Sequence, residues 1–150
     1  KSGWMPISRF RVFLLRLFGA RIGKGVLIKP CVNIKYPWKL SVGDYTWIGE
    51  EVWIDNLAEV SIGKNVCLSQ GAMLLTGNHD YKKSTFDLQV KGITLADGVW
   101  IGAKAVVCPG VQCDSHAVLS VLSVATSDLE AYTIYQGNPA RPVRTRVIEK

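Results

Sequence analysis

The chain has 150 residues, of which 48% are hydrophobic, and a formal net charge of +6. This size and composition suit one domain with its own core, and no apolar run reaches the roughly 18 residues of a membrane-spanning helix. The four cysteines form no Cys-x-x-Cys pair and there are only two histidines, so we expect reduced packing cysteines in a cytoplasmic protein without a metal site.

Residues 1–21 are predicted to form an amphipathic helical cap. Ser8 suits the start of the helix and Gly19 its end. The apolar residues that recur with helical spacing are Phe10, Phe13, Leu14, Leu17 and Phe18. Because a solenoid needs a cover over the strand edges of its first coil, we expect this apolar face to close that end. Contact of the helix with a membrane surface is the alternative.

From residue 22 to residue 130 the sequence repeats every six residues. An apolar residue opens each unit, a small residue often follows it, and a small or β-branched residue tends to return four places later. The fifteen openers are Ile22, Ile28, Ile34, Val42, Ile48, Ile54, Ile62, Leu68, Leu74, Leu95, Ile101, Val107, Cys113, Leu119 and Ala125. Six-residue units are typical of a parallel β-helix, in which three units make one triangular coil. The repeat therefore predicts an all-β solenoid of about five coils.

The first two coils carry an unusual load of aromatic residues. They are Tyr36, Trp38, Tyr45, Trp47 and Trp53. The narrow prism of a β-helix cannot hold all of them, so we expect some at the surface. Exposed aromatic rings suit sugar stacking or a subunit interface, and packing between coil corners is the alternative.

The longest interruption of the repeat is predicted to be functional. His79 ends the third coil, and residues 80–94 form an excursion loop before the frame resumes at Leu95. Insertions in solenoids map to one face and often carry function. One coil earlier, Asp55 and Asn56 occupy a similar corner. They either bind an acceptor or orient His79, or they form a polar turn, where Asp and Asn are favoured for backbone reasons.

Residues 131–150 lack the repeat and are predicted to be a C-terminal cap or arm. With this segment in view, the chain resembles the hexapeptide-repeat acetyltransferases, and among them the sugar O-acetyltransferases of the colanic acid biosynthesis group. The resemblance covers residues 22–148 and rests on the hexads and on three motifs: Thr76-Gly77-Asn78-His79, Gly98-Val99-Trp100-Ile101-Gly102 and Gly137-Asn138-Pro139-Ala140. It implies a left-handed β-helix, a homotrimer and acetyl-CoA in the cleft between subunits. We expect no metal and no nucleic-acid partner.

Taken residue by residue, the resemblance makes His79 the catalytic base. The residues that it assigns to the cofactor are Trp100, Ala103, Ser120, Val121, Ser123, Thr126, Arg141 and Arg144. The two arginines match basic residues near the CoA phosphates, with solvent-facing tail charges as the alternative. The chain departs from the family where Val121 and Leu122 replace small residues, which narrows the expected cofactor groove, and where Ser127 replaces a common lysine.

Transfer of an acetyl group from a thioester to a hydroxyl needs a base that takes the hydroxyl proton as the oxygen attacks, and a neutral imidazole does this. Together with this chemistry, the resemblance implies an acetyl-CoA-dependent O-acetyltransferase that acts directly on a sugar hydroxyl in surface polysaccharide biosynthesis, in the cytoplasm or at the inner face of the membrane. A noncatalytic β-helix subunit, or an enzyme acting on a sugar amine or a xenobiotic hydroxyl, is the alternative.

Overall fold

The chain folds as a short helix followed by a parallel β-solenoid. The computed structural model describes residues 4–150, with side chains from residue 7 onward, so residues 1–3 of the predicted cap lie outside the described residues. The helix is α1 (Trp4–Leu17). The solenoid has five complete coils of three short strands and part of a sixth. Within residues 4–150, no helix has the length and apolar content needed to cross a bilayer.

The strands follow the predicted coils in chain order. Coil one contains β1 (Arg21–Ile22), β2 (Leu27–Ile28) and β3 (Asn33–Ile34), and coil two contains β4 (Leu40–Val42), β5 (Trp47–Ile48) and β6 (Trp53–Asp55). Coil three contains β7 (Val60–Ile62), β8 (Cys67–Leu68) and β9 (Met73–Leu75), followed by β10 (Gly77–His79) and β11 (Leu88–Val90). Coil four contains β12 (Ile93–Leu95), β13 (Trp100–Ile101) and β14 (Val106–Val107). Coil five contains β15 (Gln112–Cys113), β16 (Val118–Leu119) and β17 (Val124–Ala125), and β18 (Thr133–Gly137) and β19 (Ala140–Thr145) follow.

Parallel pairing between successive coils produces the three faces of a prism. Face A holds β1, β4, β7, β12 and β15, face B holds β2, β5, β8, β13, β16, β18 and β19, and face C holds β3, β6, β9, β14 and β17. The chain turns at three corners, named AB, BC and CA after the faces that they join. A two-residue insertion and a 3-10 turn (Pro37–Lys39) lie at the first CA corner.

The six-residue frame is confirmed by the core. Fourteen of the fifteen openers are buried, and the exception, Ile34, is half-buried and packs against the same core. Their Cα atoms stack in register from coil to coil, as in the column Ile22, Val42 and Ile62. Ten of the fifteen residues four places after an opener, such as Thr46 and Val66, are buried as well. The position of a residue within the six-residue repeat therefore indicates whether its side chain lies inside the prism.

The small residue after an opener is explained by the close stacking of corners. A Cβ added to Gly43 would lie 2.5 Å from the carbonyl carbon of Gly63 in the next coil. A Cβ added to Gly102 would lie 2.7 Å from the amide nitrogen of Val121. Since coils stack at strand spacing, roughly 4.8 Å, only glycine fits these positions without displacing backbone.

Helix α1 closes the end of the solenoid, but the prediction of which face it buries is wrong. Ser8 and Val12 are buried, whereas Phe10 is 59% exposed and Phe13 58%. The Ser8 hydroxyl lies inside the helix rather than at its start, and accepts a hydrogen bond from the Ile28 amide at 2.8 Å.

The polar edge of the first coil explains this orientation. Arg16 donates to the Ile22 and Gly23 carbonyls, at 2.8 and 2.9 Å from Nη2, and Arg11 donates to the Ile28 carbonyl at 3.1 Å. A terminal coil has no neighbour to pair its outward N–H and C=O groups, and leaving such groups unpaired and covered is costly. A helix face that carries hydroxyl and guanidinium groups satisfies them, and an all-apolar face does not.

Two further predicted boundaries are corrected. The excursion is a β-hairpin in which β10 and β11 pair antiparallel, and the solenoid resumes at Ile93 rather than Leu95. The C-terminal arm is partly a sixth coil, because Leu129 bridges to Cys113 and β18 pairs parallel to β16. The interval from Ala125 to Leu129 is four residues rather than six. The six-residue spacing therefore did not predict the sixth coil.

Candidate active site

His79 stands at the end of β10, on a hairpin that projects from the CA corner of coil three. The side chain is exposed, and its Nδ1 lies 2.9 Å from the carbonyl oxygen of Phe86 across the hairpin. A carbonyl oxygen only accepts hydrogen bonds, so Nδ1 must carry the ring proton when the imidazole is neutral. That tautomer leaves the Nε2 lone pair available to accept a proton from another molecule.

Thr76 holds the root of this hairpin. Its side chain is fully buried, and its hydroxyl donates to the Asp55 carbonyl at 2.8 Å and accepts from the Ala58 amide at 3.0 Å. The returning strand is tied to the same residue, because the Lys91 amide donates to the Thr76 carbonyl at 3.0 Å. The threonine of the Thr-Gly-Asn-His motif is thus a positioning residue, a role that the motif alone does not indicate.

The tip of the hairpin is held together by Asp87. Its carboxylate accepts hydrogen bonds from the Thr85 hydroxyl and from Lys83 Nζ at 3.2 Å, and its carbonyl accepts from the Asp80 amide at 2.8 Å. The Thr85 hydrogen bond, followed by that of Lys83, lowers the pKa of the Asp87 carboxyl below its ordinary value. These contacts order the segment that includes Phe86, whose carbonyl meets His79.

Asn56 is a corner residue rather than part of an open binding site. The side chain is fully buried; its oxygen accepts from the Tyr36 amide at 2.9 Å, and its nitrogen donates to the Tyr36 and Lys39 carbonyls at 2.7 and 3.2 Å. This geometry favours the polar-turn alternative for Asn56 over contact with an acceptor.

Asp55 differs from its neighbour because its carboxylate reaches the surface. The side chain is 27% exposed and lies 3.9 Å from Lys35 Nζ. A Cβ added to Gly77, two residues before His79, would lie 3.9 Å from Asp55 Oδ2. Asp55 thus borders the root of the His79 hairpin.

Four of the predicted cofactor residues lie together on the BC side. Trp100 is on face B, Ala103 and Val121 are at the BC corners of coils four and five, and Ser120 directly follows β16. The amide of Leu122 donates to the Ala103 carbonyl at 3.0 Å and joins the two corners.

An open cavity of about 470 Å³ adjoins this cluster. It is lined by Trp47, Ser69, Gln70 and Trp100, among others. The Trp100 indole N–H donates to the Ser69 hydroxyl at 2.9 Å, which holds the ring as one wall of the cavity. This cavity provides the BC side with room for an extended ligand.

The other predicted cofactor residues are placed differently. Ser123 is buried and its hydroxyl accepts from the Gly137 amide at 3.0 Å, so it secures the sixth coil, and its contact with the cofactor stays a prediction. Thr126 is exposed after β17, at the CA corner. Arg141 and Arg144 are exposed on β19, at the end of face B.

The candidate residues therefore form two groups at different corners of the prism. His79 and Asp55 belong to the CA corner, whereas Trp100, Ala103, Ser120 and Val121 belong to face B and the BC corner. Face C lies between the two groups. A single chain does not bring its histidine and its predicted cofactor groove together.

Comparison with known proteins identifies the family. No protein-family model matches the chain. The hexapeptide-repeat-containing acetyltransferase from Vibrio cholerae O1 biovar eltor, complexed with acetyl coenzyme A, superimposes with a TM-score of 0.85 at 27% identity, over 91% of this chain and 76% of that one. The protein assigned as colanic acid biosynthesis acetyltransferase WcaF of Escherichia coli (strain K12) is 41% identical over 146 residues, which cover 96% of this chain and 80% of that protein. The chain belongs to the hexapeptide-repeat acetyltransferases.

A second relative within this family is galactoside O-acetyltransferase of Escherichia coli (strain K12). It is 27% identical over 138 residues, which cover 89% of this chain and 68% of that protein. The solenoid is accordingly the left-handed β-helix of hexapeptide-repeat acetyltransferases.

The departure from the family at Val121 and Leu122 is located on the surface. Their side chains are 60% and 68% exposed at the BC corner of coil five. Leu122 has φ +60°, in the left-handed region that glycine adopts without strain. Both side chains project outward beside the predicted cofactor residues, where bulk affects a ligand more than it affects the core.

The cysteines have no catalytic arrangement. All four are free, and burial raises the pKa of the Cys113 thiol to about 12, so it stays protonated. Cys31 is exposed, which corrects its prediction as a packing residue. In the part of the chain that the structure describes, no group of three His, Cys, Asp or Glu side chains is placed to hold a metal ion.

Proposed function

We propose that this acetyl-CoA-dependent acetyltransferase transfers the acetyl group to a hydroxyl of a sugar during assembly of a surface polysaccharide. The contact between His79 Nδ1 and the Phe86 carbonyl carries the proposal, because it leaves Nε2 as a proton acceptor on an exposed hairpin. The names of the relatives support the acceptor class, since one is assigned to colanic acid biosynthesis and another is a galactoside O-acetyltransferase.

The proposed reaction is direct. Nε2 of His79 takes the proton from the acceptor hydroxyl as the oxygen attacks the thioester carbonyl, which yields a tetrahedral oxyanion and an imidazolium. The C–S bond then breaks, the carbonyl re-forms as the ester, and the imidazolium returns its proton to the departing CoA sulfur. The Phe86 carbonyl stabilises the imidazolium as well, because Nδ1–H donates to it throughout.

We further propose a homotrimer with shared sites. His79 and the BC cluster are separated by a whole face of the prism, so a site that uses both needs the CA corner of one subunit beside the BC corner of another. Three parallel prisms arranged around a three-fold axis provide this arrangement three times. Exposed aromatic rings such as Trp38 and Trp53 (53% and 46% exposed) offer apolar area for such contacts.

We place the enzyme in the cytoplasm, at the inner face of the membrane where polysaccharide precursors are assembled.

Replacement of each histidine by Asn tests the base. His79→Asn should lower kcat by roughly 10²- to 10⁴-fold, the usual contribution of a positioned proton acceptor, while acetyl-CoA still raises the melting temperature. His116→Asn is the matched control, because His116 has φ +62° and Asn tolerates that conformation. Equal activity of the two variants, measured with glycosides, amino sugars and xenobiotic alcohols as acceptors, would exclude His79 as the base.

A noncatalytic assembly subunit is the second candidate, favoured by the bulk of Val121 and Leu122 at the predicted cofactor corner. Binding of acetyl-CoA separates the two functions, since a ligand at a hundredfold excess over its Kd stabilises the folded state by about 2.7 kcal/mol. Two results together would favour the assembly role. The melting temperature of the parent protein would not change when acetyl-CoA is added, and that of the Leu122→Gly variant would rise.

A further inference from the structure

Helix α1 and the next residue, Phe18, present a continuous apolar stripe on the side that points away from the solenoid. The stripe consists of Ile7, Phe10, Phe13, Leu14, Leu17 and Phe18, which are 48%, 59%, 58%, 37%, 67% and 61% exposed. At 100° per residue these positions span a sector of about 140°. The buried positions Ser8 and Val12 lie on the opposite side. The outermost surface at this end of the molecule is therefore aromatic and aliphatic.

The same end of the chain is strongly basic. The first acidic residue is Asp44, whereas residues 1–43 contain nine of the 18 basic residues. Residues 44–150 contain the other nine basic residues and all 12 acidic residues, a net charge of −3, so residues 1–43 carry +9 and account for the whole positive excess of the chain. The charge is therefore polarised along the solenoid axis.

Several of these basic side chains surround the stripe. Arg9 on α1 is exposed, and Arg21 and Lys24 of the first coil are exposed beneath the helix. Arg11 and Arg16 lie on the same helix and donate to carbonyls of the first coil. An apolar stripe with cations at its margins is the pattern of a helix that lies in the plane of a membrane interface.

We propose that this end of the protein binds the surface of an anionic membrane, with the stripe inserted at the boundary between headgroups and acyl chains. The positive charge of this end favours an anionic membrane over a second copy of the chain as the binding partner. Nearby Lys and Arg are attracted by anionic lipid headgroups, whereas a second copy of the same end would bring two strongly positive surfaces together. This binding does not depend on the acetyltransferase reaction. In the proposed parallel homotrimer, three helices face the same membrane. The apparent affinity of the trimer then exceeds that of a single helix, because the three helices are held close together.

Cosedimentation of the full chain with lipid vesicles tests the proposal. The parent protein should bind mixed phosphatidylglycerol–phosphatidylcholine vesicles, bind pure phosphatidylcholine vesicles weakly, and be released by added salt. Phe10→Ser with Phe13→Ser should lower the partition coefficient about a hundredfold, at roughly tenfold per aromatic side chain. Neither substitution touches the buried face of α1, so the melting temperature should not change.

Two further variants test the contribution of the basic side chains and the specificity of the apolar stripe. Arg9→Glu with Arg21→Glu should weaken binding to the anionic vesicles and flatten its salt dependence. Val147→Ser with Ile148→Ser is the matched control, because these side chains are 83% and 47% exposed at the opposite end of the solenoid, and it should bind as the parent does.

Three outcomes would overturn the proposal. The first is a parent protein that stays in solution with anionic vesicles. The second is equal binding by the Phe10/Phe13 variant and the Val147/Ile148 control. The third is self-association, seen by light scattering without lipid and abolished in the Phe10/Phe13 variant, together with no vesicle binding; the stripe would then be an interface between copies of this chain.

Discussion

Replacement of Asn56 by Ala distinguishes a corner amide from an acceptor ligand. The side chain is fully buried and forms three hydrogen bonds, to the amide and carbonyl of Tyr36 and to the carbonyl of Lys39. Each buried hydrogen bond contributes about 1 kcal/mol, so the substitution should lower the free energy of unfolding by about 3 kcal/mol. For a chain of this size that corresponds to a fall in melting temperature of about 6–12 °C.

The assay combines thermal melting with acceptor kinetics at one fixed protein concentration, because melting of an oligomer depends on concentration. Asn56→Ala should melt earlier while the folded fraction keeps the acceptor KM of the parent. Asn56→Asp retains the oxygen that accepts from Tyr36 but places a buried carboxylate oxygen against the Tyr36 and Lys39 carbonyls, so its melting temperature should fall below that of Asn56→Ala.

Asp55→Asn is the matched control at the same corner. Its ion pair with Lys35 is long, at 3.9 Å, and partly exposed, so its loss should affect stability by less than about 1 kcal/mol. The reasoning about Asn56 would be refuted if Asn56→Ala melted with the parent and instead raised the acceptor KM.

The remaining predictions concern the cofactor and the hairpin. Changing Arg141 and Arg144 together to Ala should raise the acetyl-CoA KM and leave the acceptor KM nearly unchanged, and equal effects on both constants would assign these arginines to a solvated tail. The lowered pKa of Asp87, caused first by Thr85 and then by Lys83, means that its carboxylate stabilises the hairpin fully above the ordinary carboxyl pKa, and that this stabilisation is lost as pH falls through the lowered value. Amide exchange at Phe86, whose N–H donates to the Lys83 carbonyl, should be constant between about pH 5 and pH 8 after correction for the intrinsic rate, and should accelerate below about pH 4. Unchanged protection at lower pH would show that Asp87 does not hold the tip.

For helix α1, the spacing of apolar residues predicts the helix but not the face that docks on the solenoid. Spacing identified the apolar residues of α1 and the end of the helix near Gly19. It could not identify the docked face, because that depends on what the partner surface presents. The first coil presents unpaired amides and carbonyls, and Ser8, Arg11 and Arg16 match them. The more apolar side of the helix is left exposed.

The candidate site shows the same limit. The motif that ends at His79 and the position of the long insertion were readable in the chain, and the proposed base follows from them. The Phe86 carbonyl and the Thr76 hydroxyl were not identified, and Asn56 was left with two alternatives, since each of these contacts pairs a side chain with a backbone group elsewhere in the chain. A backbone carbonyl has no signature in the sequence.

The solenoid, its core and the number of its complete coils were predictable from residue spacing, because a side chain that recurs every six residues must return to the same inner surface of the prism. The docking of α1, the contact of Phe86 with His79, and the placement of His79 and the BC cluster on opposite sides of face C became clear only from the folded chain. The first two depend on hydrogen bonds between side chains and backbone groups, and the third depends on how the coils stack. Residue type alone does not specify such pairings, since every residue carries the same peptide group.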